Sequence, residues 1–208
     1  MIFISGNITE QEKFKMKRHS IYFTRLTPNF KNWQKPSGNE GKCKCSNPKT
    51  PLYEEQFGFG WEEWMLEDYF EHMNELDFTC SGFVQALNQK NEQIDFINRL
   101  YLYTKICKNE YNKVPGYYYI GYIDNITRLQ YAATNAINKK ICTDLKNVGI
   151  INAISSSMLP NAKNISFKVK DVHINFPLIF NQTIRLNRGQ FRFSLYEINK
   201  HPNFLTQL

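Results

Sequence analysis

The stretch Tyr53–Leu66, YEEQFGFGWEEWML, holds two Trp, two Phe, one Tyr, four Glu and two Gly within fourteen residues. Phe57-Gly58 and Phe59-Gly60 read as a backbone turn that needs glycine. Behind it, Trp61, Trp64 and Leu66 fall near one face of a helical pattern, which predicts a helix from about Trp61 to Met73. Between Thr50 and Gln89 the chain carries nine acids and no Lys or Arg, so the remaining ten acids face all 26 bases. An aromatic and acidic knot inside a basic chain predicts a concave site with a cationic rim.

Working outward, 208 residues with 42% hydrophobic and 15% aromatic content suffice for one domain with a real core. The excess of bases gives a net charge of +7, which points to a polyanionic partner, nucleic acid first. The five cysteines, Cys43, Cys45, Cys80, Cys107 and Cys142, form no CxxC. Cys43-x-Cys45 is too tight for a usual zinc knuckle, so reduced thiols and no metal are expected. The apolar start Met1-Ile2-Phe3-Ile4 is too short for a secretory signal. No run approaches the ~18 apolar residues of a membrane span, so a cytoplasmic protein is expected.

Ile21–Leu26 reads as a first strand, ended by Pro28. From Asn29 to Pro51 follows a turn-rich loop carrying Lys31, Lys35, Lys42, Lys44 and Lys49. A loop of that length in a compact domain usually has a job. WQKPSG, Trp33–Gly38, is placed to grip phosphates through Lys35, Ser37 and free backbone N–H groups. Further strands are expected at Phe78–Leu87, Asp95–Ile106 and Tyr117–Ile126, with Gly82 and Gly121 as bulges or close approaches. Arg128–Val148 repeats Leu129, Ala132, Ala133, Ala136, Ile137 and Ile141 at helical spacing, with Thr127 as the cap. Ile165–Ile174 and Ile184–Ile198 complete the strands. The expected fold is α+β: a small curled barrel of five to seven mostly antiparallel strands flanked by two or three helices.

Catalytic signatures are weak. Glu40-Gly41-Lys42 and Asp144-Leu145-Lys146 match the short acidic-x-Lys pattern of metal nucleases, but one lies in a loop and the other on the predicted helix. His19, His72, His173 and His201 are scattered. Glu62 and Glu63 are candidate acid/base carboxylates, although one of them is expected to face solvent at a helix start. Binding uses the same residues better. A flipped base would stack among Trp33, Tyr53, Phe57, Trp61, Trp64 and Tyr103, with Glu62 or Glu63 accepting a cytosine amine. Core packing of Trp61 and Trp64 is the competing reading. Arg25, Lys31, Lys35, Ser37, Lys42, Lys44, Arg185, Arg188 and Arg192 would hold the DNA backbone.

The order WQKPSG, YEEQFGFGWEEWML, YLYT, YYIGYIDNI, a helix and NISFKVKDV resembles DNA-recognition domains of bacterial restriction systems, including those of modified-cytosine restriction. The resemblance spans roughly Tyr22–Tyr196, and its most specific part is the GFG-x-EEW core, where Trp61 stands in place of an expected His. It implies either a PUA/EVE/YTH-like barrel that flips a modified base, or a plant-transcription-factor-like pseudobarrel that reads the major groove with two loop arms. The implied partners are double-stranded DNA and a nuclease or GTP-driven translocase module in the same chain or system. The implied domain covers residues 1–208, which the resemblance leaves free to be part of a longer protein. No cofactor is implied. RNA binding and an unrecognised metal-dependent nuclease stand as alternatives.

Overall fold

A computed structural model describes residues 21–38, 59–89, 94–106, 116–129, 143, 165–174 and 196–197. The fold is α+β. One mixed sheet of seven strands dominates, built from β1 (Ile21–Leu26), β2 (Thr79–Gly82), β3 (Phe96–Ile106), β4 (Gly116–Arg128), β5 (Ile165–Lys168), β6 (Val172–Ile174) and β7 (Tyr196–Glu197). Among the described residues, two short helices, α1 (Glu67–His72) and α2 (Gln85–Gln89), accompany it. The strand path is β2-β5-β4-β3-β1-β7, with β6 beside β4. β2 and β7 end the path, and no ladder joins them among the described residues.

The long antiparallel ladder of β3 on β4, from Phe96 opposite Thr127 to Ile106 opposite Gly116, is the frame. Its alternation is the period of two expected for strands with two unlike faces. One face buries Leu100, Leu102, Ile120 and Ile123 against Met65, Leu66, Val84, Leu87 and Phe167. β1 joins β3 in parallel, Ile21 opposite Arg99 through Leu26 opposite Thr104. Gly121 marks both a register shift beside Leu102 and a close approach. Its φ is +149°, and a Cβ there would collide with the carbonyl of His173 on β6. Only glycine permits that contact.

Several expected elements are shorter than their sequence pattern. In place of one helix from Trp61 to Met73 there is a 3-10 turn, Trp61–Trp64, and then α1. The break has a cause: the Leu66 N–H donates to the Trp33 carbonyl at 2.9 Å and so leaves the helical ladder. The strand expected over Phe78–Leu87 stops at Gly82, because the Gln85 N–H donates to the Glu62 carboxylate and the chain turns into α2. The strand expected over Ile165–Ile174 is split by a 3-10 turn, Val169–Asp171. There the Val169 and Lys170 N–H groups bind the carbonyls of Phe78 and Leu76. Thr127 lies within β4, opposite Phe96 and Ser166, and caps no helix. Of the helix expected over Arg128–Val148, all but Arg128, Leu129 and Thr143 lies outside the described residues, as does Ile184–Ile198 except for β7.

Candidate nucleic-acid interface

The loop after β1 is held by two buried carboxylates. Glu62 Oε2 accepts from the Thr27 N–H at 2.8 Å and from its hydroxyl at 3.2 Å. Glu62 Oε1 accepts from the Gln85 N–H at 2.9 Å. Glu63 Oε1 accepts from the Gly60 N–H at 2.7 Å. Glu63 Oε2 accepts from the Asn29 amide at 2.8 Å and from the Ser37 N–H and hydroxyl at 2.8 and 3.2 Å. Hydrogen bonds to ionised acceptors are the stronger kind. Together they tie Thr27, Asn29 and Ser37 of the loop to the 3-10 turn and the entry to α2.

Asn29 organises the loop from within. Its Oδ1 accepts from the N–H groups of Lys31 and Trp33, and its Nδ2 also donates to the Lys35 carbonyl. This wrapping puts Asn32 and Trp33 at φ of 54° and 55°, the left-handed region that non-glycine residues rarely occupy. The Trp33 indole N–H donates to the Thr27 carbonyl at 2.9 Å. Gly60 fits the same junction by size, since a Cβ there would sit 2.7 Å from Thr27 Oγ1.

These contacts correct the aromatic pocket. Trp33 and Tyr103 are fully buried, and Trp61 and Trp64 are 7% and 5% exposed. A stacking cage needs a ring with a free face, and these rings are packed instead. Trp61, Trp64 and Phe59 lie against one another, with centroids 5.8–6.4 Å apart. Tyr103 packs beside Phe23. Glu62 and Glu63 are also buried, at 1% and 0% exposure, and neither faces solvent. Their oxygens meet backbone and side-chain donors, which argues against general acid/base work. Tyr53 and Phe57 lie outside the described residues.

The backbone-binding set divides as well. Lys31 and Lys35 are exposed on the loop, Arg25 is half-buried on β1, and Ser37 turns inward to Glu63. The N–H groups of Trp33, Gln34 and Ser37 are used inside the protein, so those three are not free for phosphate. Lys42, Lys44, Arg185, Arg188 and Arg192 lie outside the described residues.

A second cluster sits on the opposite face of the β3–β4 frame. Arg99 forms a two-pronged ion pair with Asp124, at 2.7 and 2.8 Å. Its guanidinium lies 4.0 Å from the Tyr122 ring centre. Tyr122 stacks on His173 of β6 at 4.5 Å and 26°. Hydrogen bonding to Asp124 raises the Arg99 pKa further. Burial, then the neighbouring Tyr101 and Tyr122, raises that of Tyr119. In the sequence, YLYT and YYIGY read as strands, with Tyr103 alone of their side chains among the candidate stacking rings. The spacing Arg99, Tyr101, Tyr103, Lys105 against Tyr117 and Tyr119 is the signal that points to the cluster, since residues two apart share a face.

Among the described residues no group of three or more His, Cys, Asp or Glu is placed to hold a metal ion. No helix among them is long and apolar enough to cross a membrane. The chain matches no protein-family profile, no curated protein and no solved structure.

Proposed function

We propose that the chain is a non-catalytic duplex-DNA recognition module of a restriction or phage-defence system, reading DNA from the groove with the lysine-bearing loop 27–38. The observation that carries this reading is the two-sidedness of that loop. Its inner side is fastened to Glu62, Glu63 and Asn29, while Lys31 and Lys35 stand exposed on the outer side. A prefastened loop loses little conformational entropy on binding, and its lysines add to a chain of net charge +7. Groove reading by loops is one of the two modes that the family resemblance implies, and it makes no use of the buried rings. It also accommodates a modified cytosine, because a substituent at the pyrimidine 5-position projects into the major groove. The reading includes a barrel-like curl of the sheet as scaffold, a cytoplasmic setting, and a nuclease or GTP-driven translocase as working partner.

The test is a titration of duplexes bearing unmodified, 5-methyl, 5-hydroxymethyl and glucosylated cytosine at two salt concentrations, on the wild type and on Lys31→Glu/Lys35→Glu. Affinity should fall with salt. The double variant should bind more weakly, with a salt slope smaller by about one for each phosphate it no longer neutralises. A flat salt response, or a variant equal to the wild type, refutes the loop. Equal affinity for all four duplexes removes the modified base. Mg²⁺-dependent cleavage of plasmid by the chain would make it a nuclease instead.

A further inference from the structure

We propose that the face of the β3–β4–β6 sheet bearing Arg99, Tyr101, Tyr122 and His173 binds unpaired nucleobases of single-stranded nucleic acid. This goes beyond duplex reading by the loop and rests on other residues. The Arg99 guanidinium, the Tyr122 ring and the His173 imidazole form a stack of flat groups across three strands, with spacings of 4.0 and 4.5 Å. Tyr101 lies opposite Tyr122, their ring centres 5.7 Å apart. The members differ in access: Arg99, Tyr101 and Tyr122 are half-buried, and His173 is exposed.

Several features favour this occupant. A base is a flat π-system, and flat side chains already held in register add one more plane with little further ordering. Asp124 fixes Arg99 from the side, which sets the plane of the guanidinium before anything binds. Lys105, further along β3 and 5.8 Å from the Tyr117 ring centre, supplies a cation on the same strand pair. The chain's net charge of +7 complements a phosphate backbone. A duplex hides its base faces, so only unpaired bases offer the surface that this stack fits.

The test uses fluorescence anisotropy with labelled oligo-dT and oligo-rA of about twelve nucleotides, a length within the usual site size. The full chain should bind both. His173→Ala should weaken binding at least about fivefold, the lower end of the range for removing one stacking partner, while His173→Phe should retain it. Tyr122→Ala should weaken it at least as much. The exposed His173 pair keeps the test decisive if Tyr122→Ala does not fold. Lys31→Glu/Lys35→Glu should retain the difference between His173→Ala and His173→Phe, which separates this face from the duplex loop. Failure of the wild type to bind single strands, equal affinity of His173→Ala and wild type, or preference for an acidic peptide over the oligonucleotides would each overturn the proposal.

Discussion

Replacing Glu63 by Gln tests whether the buried carboxylates hold the loop. The two side chains have the same shape, but Gln exchanges one acceptor oxygen for an NH2 group. Among the described residues Glu63 accepts one hydrogen bond on Oε1 from Gly60, and three on Oε2 from Asn29 and Ser37. Whichever way the amide is turned, a donor meets at least one buried donor. The gentler orientation faces the NH2 toward the Gly60 N–H. That sets two buried donors, the Gly60 N–H and the new NH2, against each other, at a cost of at least about 1–3 kcal/mol. It also turns three charge-assisted bonds into neutral ones, each weaker by roughly half. The sum is roughly 3 kcal/mol, a large part of the ~5–15 kcal/mol that keeps a domain folded. The assay is urea unfolding followed by tryptophan fluorescence. All three tryptophans of the chain, Trp33, Trp61 and Trp64, belong to this junction, so the signal reports it directly. Glu71→Gln on the exposed side of α1 is the control and should shift stability by no more than about 0.5 kcal/mol. A drop in stability for Glu63→Gln no greater than the control's would refute the fastening role.

Other outcomes follow from the same geometry. Asp77 accepts from Lys170 and Lys168 at 2.9 and 3.3 Å, and these bonds hold its carboxyl below the ordinary 3.8. A depressed folded-state value stabilises above the unfolded one, and that stabilisation disappears as pH falls through the folded value. Asp77→Asn should therefore be slightly less stable than wild type at neutral pH, with the gap closing below pH 3.8 and shrinking in high salt. Cys80 is fully buried, and burial, with the Asp68 charge second, pushes its thiol up to about 12. Its peptide should resist alkylation in mildly alkaline buffer and react once urea unfolds the chain; rapid native labelling would contradict the burial. Gly121→Ala should prise β6 from β4 and cost about 2 kcal/mol or more in urea unfolding, since neither the positive φ nor the His173 carbonyl tolerates a Cβ.

The frame was legible because its signal is local. β1, β3 and β4 follow from β-forming residues and alternation, and Gly121 stood out as the one small residue amid tyrosines and isoleucines. The helix after Trp61 misled because helical spacing takes no account of a tertiary competitor, the Trp33 carbonyl that takes the Leu66 N–H. Glu62 and Glu63 misled for a related reason. Charged side chains belong outside unless paired or hydrogen-bonded, and their donors on Thr27, Asn29 and Ser37 lie 26 to 35 residues upstream. No local pattern reveals such partners. The exposure of Lys31 and Lys35 matched simple expectation, whereas the burial of Trp33 depends on Asn29 curling the loop around it. The Arg99–Tyr122–His173 stack needs the pairing of β4 with β6 before it exists at all.

The parallel seam between β1 and β3 also governs how the chain can be made. Leu26 meets Thr104, 78 positions away, and Tyr22 meets Glu197 on its other side. On a ribosome the first of these strands must wait, unpaired, until the third has emerged. Closing so long a loop is entropically slow. Ile21–Leu26 is thus a segment on which a nascent-chain chaperone can act, and a translational pause timed after β3 has emerged would lengthen the time available for docking.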